Sequence, residues 1–140
     1  PFYYQKLKDK YKSNNNVKIF DYGLGGSTES LYLTDSGAGS EVTKEKTDIK
    51  ISIKDITEVI KDFDIEKIDL LKLNIEGSEY DLLEKLIKSG LISTIDKLQI
   101  QFHENINDAD LRRDRIRRDL NTTHKEIWSY YMVWERWDKK

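Results

Sequence analysis

The chain has 140 residues, 36% of them charged and 37% hydrophobic, with a formal net charge of −2. That balance fits one globular domain with no global field toward nucleic acid or acidic lipid, and no apolar run approaches the roughly 20 residues of a membrane helix. The chain contains no cysteine, which excludes disulfides, thiolate metal sites and thiol nucleophiles.

Tyr3, Leu7 and Tyr11 recur at four-residue spacing and predict an amphipathic helix over Phe2–Lys12, stopped by Ser13-Asn14-Asn15-Asn16. Val17 and Ile19 predict a short strand over Val17–Tyr22, and Gly23-Leu24-Gly25-Gly26 reads as the loop after it. Leu31 and Leu33 mark another short strand, and Asp35–Thr47 reads as a flexible polar loop. Ile49, Ile51 and Ile53 alternate as a strand. Asp55 with Glu58 resembles a helix start, with Ile56, Val59, Ile60 and Phe63 on one stripe.

Ile68–Ile75 is a nearly continuous apolar run, as expected for a strand covered on both faces. Ser78 and Asp81 form a capping-box pattern; Leu82, Leu83, Leu86 and Ile87 give the following helix its buried face, and Gly90 ends it. Leu98, Ile100 and Phe102 alternate in a further strand. Ala109–Leu120 is a charged helix with Ile116 and Leu120 inward and its charges to water, and Glu126–Trp137 reads as a terminal hairpin. Strand and helix alternate from Ile49 onward, which predicts an α/β fold with a largely parallel sheet in a single domain.

The richest stretch is Ile68-Asp69-Leu70-Leu71-Lys72-Leu73-Asn74-Ile75-Glu76-Gly77-Ser78-Glu79, a strand that ends in acidic residues and turns straight into a helix. Ligands of open α/β sheets sit beyond the carboxyl ends of strands, which places Asn74, Glu76 and Glu79 at a ligand edge rather than in the core. The bland alternative is that Glu76 and Glu79 only complement a helix amino terminus. His103 ends a strand too and is a candidate base for a hydroxyl, whereas His124, in a Thr-Thr-His turn, reads as structural. The histidines and carboxylates show no metal spacing.

This stretch resembles the signature of FkbM-type methyltransferases, a strand of the form Ile-Asp-Leu-Leu-Lys-hydrophobic-Asp-hydrophobic-Glu-Gly-Ala-Glu. Asn74 stands where Asp is common and Ser78 where Ala is common; Asn74 keeps the hydrogen bonding and loses the charge. The flanks are similar as well, including Thr123–Tyr130 and Val133–Trp137. The resemblance implies a Rossmann-like domain that moves a methyl group from S-adenosylmethionine to a hydroxyl of a sugar or small natural product. It places Tyr22, Gly23, Leu24 and Asn74 on the cofactor side and Glu76 and His103 at the chemistry, with Glu79 supporting on the substrate side.

Such domains begin with a strand and a Gly-rich turn for the cofactor, then a second strand ending in an acidic residue for the ribose. Phe2–Lys12 corresponds to the helix after that second strand. The resemblance therefore implies a domain truncated at its amino terminus, inactive alone, with a partner chain completing the sheet. The expected partner is a small-molecule or glycan acceptor, with no nucleic acid and no membrane, and the expected location is cytoplasmic. A non-catalytic remnant that acts as a protein-interaction module is the alternative.

Overall fold

The computed structural model describes residues 2–34 and 42–140, and the element order starts with a helix, α1 (Phe2–Tyr11). Its apolar stripe is not buried: Tyr3 and Leu7 are 61% and 42% exposed, so the predicted amphipathic helix forms without a core face. The expected strand over Val17–Tyr22 is irregular chain. The strand comes later, as β1 (Gly23–Gly25), in the segment that reads as a loop. The reason is close packing. A Cβ at Gly23 or Gly25 would lie 2.7 Å from the Ile53 side chain, so only bare backbone fits there.

β2 (Glu29–Leu33), β3 (Val42–Thr43) and β4 (Ile49–Asp55) complete a four-stranded sheet in the order β1-β4-β2-β3. β1 runs parallel to β4, while β2 is antiparallel to both β4 and β3. Of the expected polar loop, residues 35–41 lie outside the described residues, and Val42–Thr43 is strand rather than loop.

Asp55 caps α2 (Ile56–Asp62), accepting from the Thr57 backbone N–H at 2.8 Å. Ile56, Val59 and Ile60 are buried as their spacing predicts, but Phe63 closes the helix at 42% exposure, its ring edge-on to Phe20. Asp55 also meets Lys85 at 2.6 Å, tying the end of β4 to the helix that follows the signature strand. Burial would raise the Asp55 carboxyl; the Lys85 ammonium and the Thr57 donors outweigh it and hold the group below the ordinary carboxylate range.

That signature strand is short. β5 (Leu71–Leu73) leads into α3 (Glu79–Ser89), which ends at Gly90 in the left-handed region, φ 78°. A 3₁₀ turn, Leu91–Thr94, precedes β6 (Lys97–Ile100). α4 (Ala109–Thr123) then leads to a hairpin of β7 (His124–Tyr130) and β8 (Trp134–Lys139). The second sheet has the order β5-β6-β8-β7; β5 and β6 are parallel and joined through α3, and the other pairs are antiparallel. The largely parallel sheet expected from strand–helix alternation is thus replaced by two mixed sheets, each with one parallel pair. Of the antiparallel pairs, β7 and β8 follow from the short turn between Tyr130 and Trp134, since a hairpin link favours antiparallel pairing.

The core lies on one face of this second sheet. Leu73, Leu98, Ile100 and Trp137 pack against Tyr80, Leu82, Leu83 and Leu86 of α3 and Ile116 and Leu120 of α4. Each such large side chain, fully buried, contributes about 1.5–3 kcal/mol of transfer free energy. The opposite face is not covered in the same way. Leu70 is 54% exposed, and Lys72 is exposed with its ammonium 5.1 Å from the centre of the Trp134 ring, so the β5 segment is not buried on both faces.

α4 departs from its expected pattern as well. Arg113 is 6% exposed and bonds Glu135 of β8, itself 1% exposed. Arg117 reaches the same carboxylate at 2.8 Å, and Trp137 donates its indole N–H to it at 2.9 Å. Two of the helix's guanidiniums therefore turn onto the sheet, because a carboxylate there pairs with them.

Candidate functional site

β5 ends at Leu73, and the chain turns at Glu76 and Gly77 with φ of 51° and 101°. A glycine is needed at the second position. A Cβ there would lie 2.8 Å from Ile106 and 3.1 Å from the Asn105 side chain, both on the loop after β6. The two loops at the carboxyl ends of the parallel strands are thus in direct contact, and Asn105 Nδ2 donates to the Glu76 carbonyl at 3.4 Å.

The predicted capping box does not form, since Ser78 makes no side-chain cap bond. Glu79 turns back instead. Its Oε2 accepts from the Gly77 N–H at 2.9 Å, and its Oε1 accepts from the His103 N–H at 2.9 Å. The same Oε1 lies 3.0 Å from His103 Nδ1. Glu79 is 0% exposed, which corrects its expected place at an open ligand edge: the donors that satisfy it all point inward from the two loops.

On its other side the imidazole meets Glu76, with Nε2 3.4 Å from Oε2. Tyr80 donates its hydroxyl to the His103 carbonyl at 2.8 Å. Burial, with the Glu79 carboxylate beside it, pushes the Tyr80 phenol above its ordinary range and keeps it a donor. The result is one imidazole held between two carboxylates at the carboxyl ends of two parallel strands.

A cavity of about 720 Å³ opens between this edge and the first sheet, within the range of small-molecule sites. Tyr22, Gly23, Leu24, Asn74 and Glu76 all stand in its wall, together with Tyr4, Phe20 and Ser78. His103 is not in the wall; Glu76 is the member of the pair that faces the cavity. The Phe20 and Tyr22 rings lie 5.1 Å apart, and Lys54 sits 4.4 Å from the centre of the Tyr22 ring. The Tyr22 hydroxyl is buried and has no hydrogen-bond partner among the described residues.

Sequence reasoning missed Tyr80, Asn105 and Phe20. Tyr80 had a signal in its spacing of three and seven residues from Leu83 and Ile87, and Phe20 in its alternation with Tyr22. Asn105 had none, since its partner lies 29 residues earlier.

His124 stands apart from this site. It is fully buried, with Nε2 2.9 Å from the Ile95 carbonyl and Nδ1 2.8 Å from the Thr123 hydroxyl, and burial lowers its pKa. Arg112 bonds Asp81 and Glu84, so Arg112, Arg113 and Arg117 all face carboxylates. Among the described residues no group of three His, Asp or Glu is placed to hold a metal ion, and no helix is long and apolar enough to cross a membrane.

In comparison with protein families, the model described as the methyltransferase FkbM domain matches residues 2–137. Neither the curated proteins nor the solved structures gave a significant match.

Proposed function

We propose, from the premise that the chain belongs to the FkbM methyltransferase family, that it contributes the site of S-adenosylmethionine-dependent O-methyl transfer within a Rossmann-like domain. The observation that carries this reading is the imidazole of His103 between Glu76 and Glu79, beside a cavity at the carboxyl ends of β5 and β6.

The cavity wall fits the nucleoside end of the cofactor. Phe20 and Tyr22 offer ring faces for a base, and the orphaned Tyr22 hydroxyl lacks the partner that a ribose or base would supply. Tyr22, Gly23, Leu24 and Asn74 are the residues that would hold it. When bound, S-adenosylmethionine supplies an electrophilic methyl group, and its sulfur keeps the electron pair of the broken bond. Glu76 accepts the hydrogen bond of the acceptor hydroxyl at the wall and orients its oxygen. The proton leaves toward the Glu76–His103 pair as the oxygen bonds carbon. Positioning and a modest base suffice for such a step. The acceptor is a hydroxyl of a sugar or small natural product.

β5, which carries the site, is an edge strand, so its outer backbone groups are unpaired by any strand among the described residues. In this reading a partner chain pairs along that edge and completes the sheet, and the 140 residues alone are inactive. The same edge, with exposed Leu70, favours a second reading: a non-catalytic module that docks another protein. Isothermal titration of the native protein with S-adenosylmethionine separates the two. Stoichiometric binding that weakens in Tyr22→Ala supports the methyltransferase site. A folded native protein that binds no cofactor overturns it in favour of the docking module.

A further inference from the structure

We infer that Glu79 is a positioning residue: it holds His103 in the Nδ1–H tautomer, turns the Nε2 lone pair to Glu76, and so makes Glu76–His103 a proton relay leading inward from the cavity wall. This rests on the O-methyl transfer reading for the purpose of the relay, but the tautomer itself follows from geometry alone.

As a carboxylate, Glu79 has acceptor sites only. Its Oε1 takes the backbone N–H of His103 and faces Nδ1 at 3.0 Å, while its Oε2 takes the Gly77 N–H. With the proton on Nε2, the Nδ1 lone pair would oppose that oxygen at a fully buried position, two acceptors in contact with no water to relieve them. With the proton on Nδ1, the contact is a charge-assisted hydrogen bond. Turning the ring over about Cβ–Cγ would relieve that clash only by setting Cδ2–H against Oε1, which forfeits the hydrogen bond that the Nδ1–H form makes.

Nε2 is then an acceptor, 3.4 Å from Glu76 Oε2. The Glu76 side chain is 32% exposed, so water reaches this contact. A proton taken by Glu76 from an acceptor hydroxyl fills the gap. The new carboxylic O–H points at Nε2, and the proton passes on to form an imidazolium flanked by both carboxylates. One proton moves from oxygen to oxygen to nitrogen, and no oxidant or reductant is required. In this order Glu76 touches the substrate, His103 stores the proton, and Glu79 acts only through His103.

Glu79 also ties two loops together, so loss of folding alone would not establish the role. The decisive readout is the ¹⁵N spectrum of the His103 imidazole in the native protein, labelled at histidine, assigned with His103→Asn, and recorded at alkaline pH. The expected wild-type result is Nδ1 in the protonated, pyrrole-type range and Nε2 in the unprotonated, pyridine-type range. An Nε2–H tautomer in the wild type overturns the inference without need of any variant. In Glu79→Gln one of the two accepting oxygens becomes an amide NH2 that cannot accept and the negative charge is lost, so the hold on Nδ1–H weakens and the tautomer should shift toward Nε2–H. The kcat for methyl transfer should fall on the order of 10²-fold or more, with the acceptor KM little changed. A folded Glu79→Gln protein with wild-type kcat also overturns it. If the wild-type tautomer is as expected while Glu76→Gln keeps full turnover, the positioning by Glu79 stands and the proposed catalytic role of Glu76 fails.

Discussion

Glu79 Oε1 lies 2.9 Å from the backbone nitrogen of His103 and 3.0 Å from its Nδ1, so a single buried oxygen fixes both the main chain and the ring of a residue 24 positions later. The amino end of α3 is thereby bonded directly to the end of β6. The loops that follow two parallel strands are bonded to each other, and the edge of the cavity is set before any ligand arrives. Such preorganisation is what a proton-transfer site needs, because small misplacements of a base cost large factors in rate.

Gly77→Ala should disrupt this unit. The residue sits at φ 101°, and the added Cβ would meet Ile106 at 2.8 Å and Asn105 at 3.1 Å. A loss of about 1–3 kcal/mol is expected from the backbone strain. Urea unfolding at constant pH measures it. A variant with the wild-type midpoint would show that the turn relaxes freely.

Glu135→Ala should be more damaging than any exposed acidic substitution. The carboxylate is 1% exposed and faces Arg113, Arg117 and the Trp137 indole at once. Removing it leaves buried guanidinium without a counter-charge, at a cost of about 3–5 kcal/mol. The same denaturant series checks this, with Asp69→Ala as the exposed control. Equal losses in the two variants would contradict a structural role for the network.

Acid should weaken the fold in two stages that begin at different pH, near 6.5 and near 3.8. Burial holds the His124 pKa below its ordinary 6.5, so the unfolded chain binds this proton more readily than the folded one. The stability carried by neutral His124 is fully present above pH 6.5 and is lost as pH falls through the lower folded value. Asp96 and Asp138, held below 3.8 by Lys67 and Arg136, contribute stability that is present above 3.8 and lost only further down. His124→Gln, which keeps a donor for the Ile95 carbonyl, should flatten the first step alone. Urea midpoints followed across the interval from 6.5 to 3.8 test this. An unchanged slope in the variant would assign the loss to another group.

The turn after β5 was legible because its chemistry is local: Gly77 follows Glu76, and a helix with Leu82, Leu83 and Leu86 on one side follows both. His103 was legible for the same reason, as the polar residue after an alternating strand. What sequence could not convey was which way each charge turns. Glu79 points inward only because the N–H groups of Gly77 and His103 wait there, and His103 lies 24 residues later. Arg113 is buried only because Glu135 sits opposite, 22 residues on. β1 was misplaced because Gly23 and Gly25 look like a loop until Ile53 is laid against them. Local pattern gave the elements; long-range complementarity decided register, strand direction and burial.

The most direct test is the rate at which the native protein converts S-adenosylmethionine to S-adenosylhomocysteine in the presence of hydroxylated acceptors, compared with His103→Ala and Glu76→Gln. The site described here is expected to lose on the order of 10²–10⁴-fold in turnover in each variant, with each variant still folded at the assay temperature. Wild-type turnover in a folded His103→Ala protein would contradict the assignment of the imidazole between Glu76 and Glu79 as the proton acceptor of the reaction.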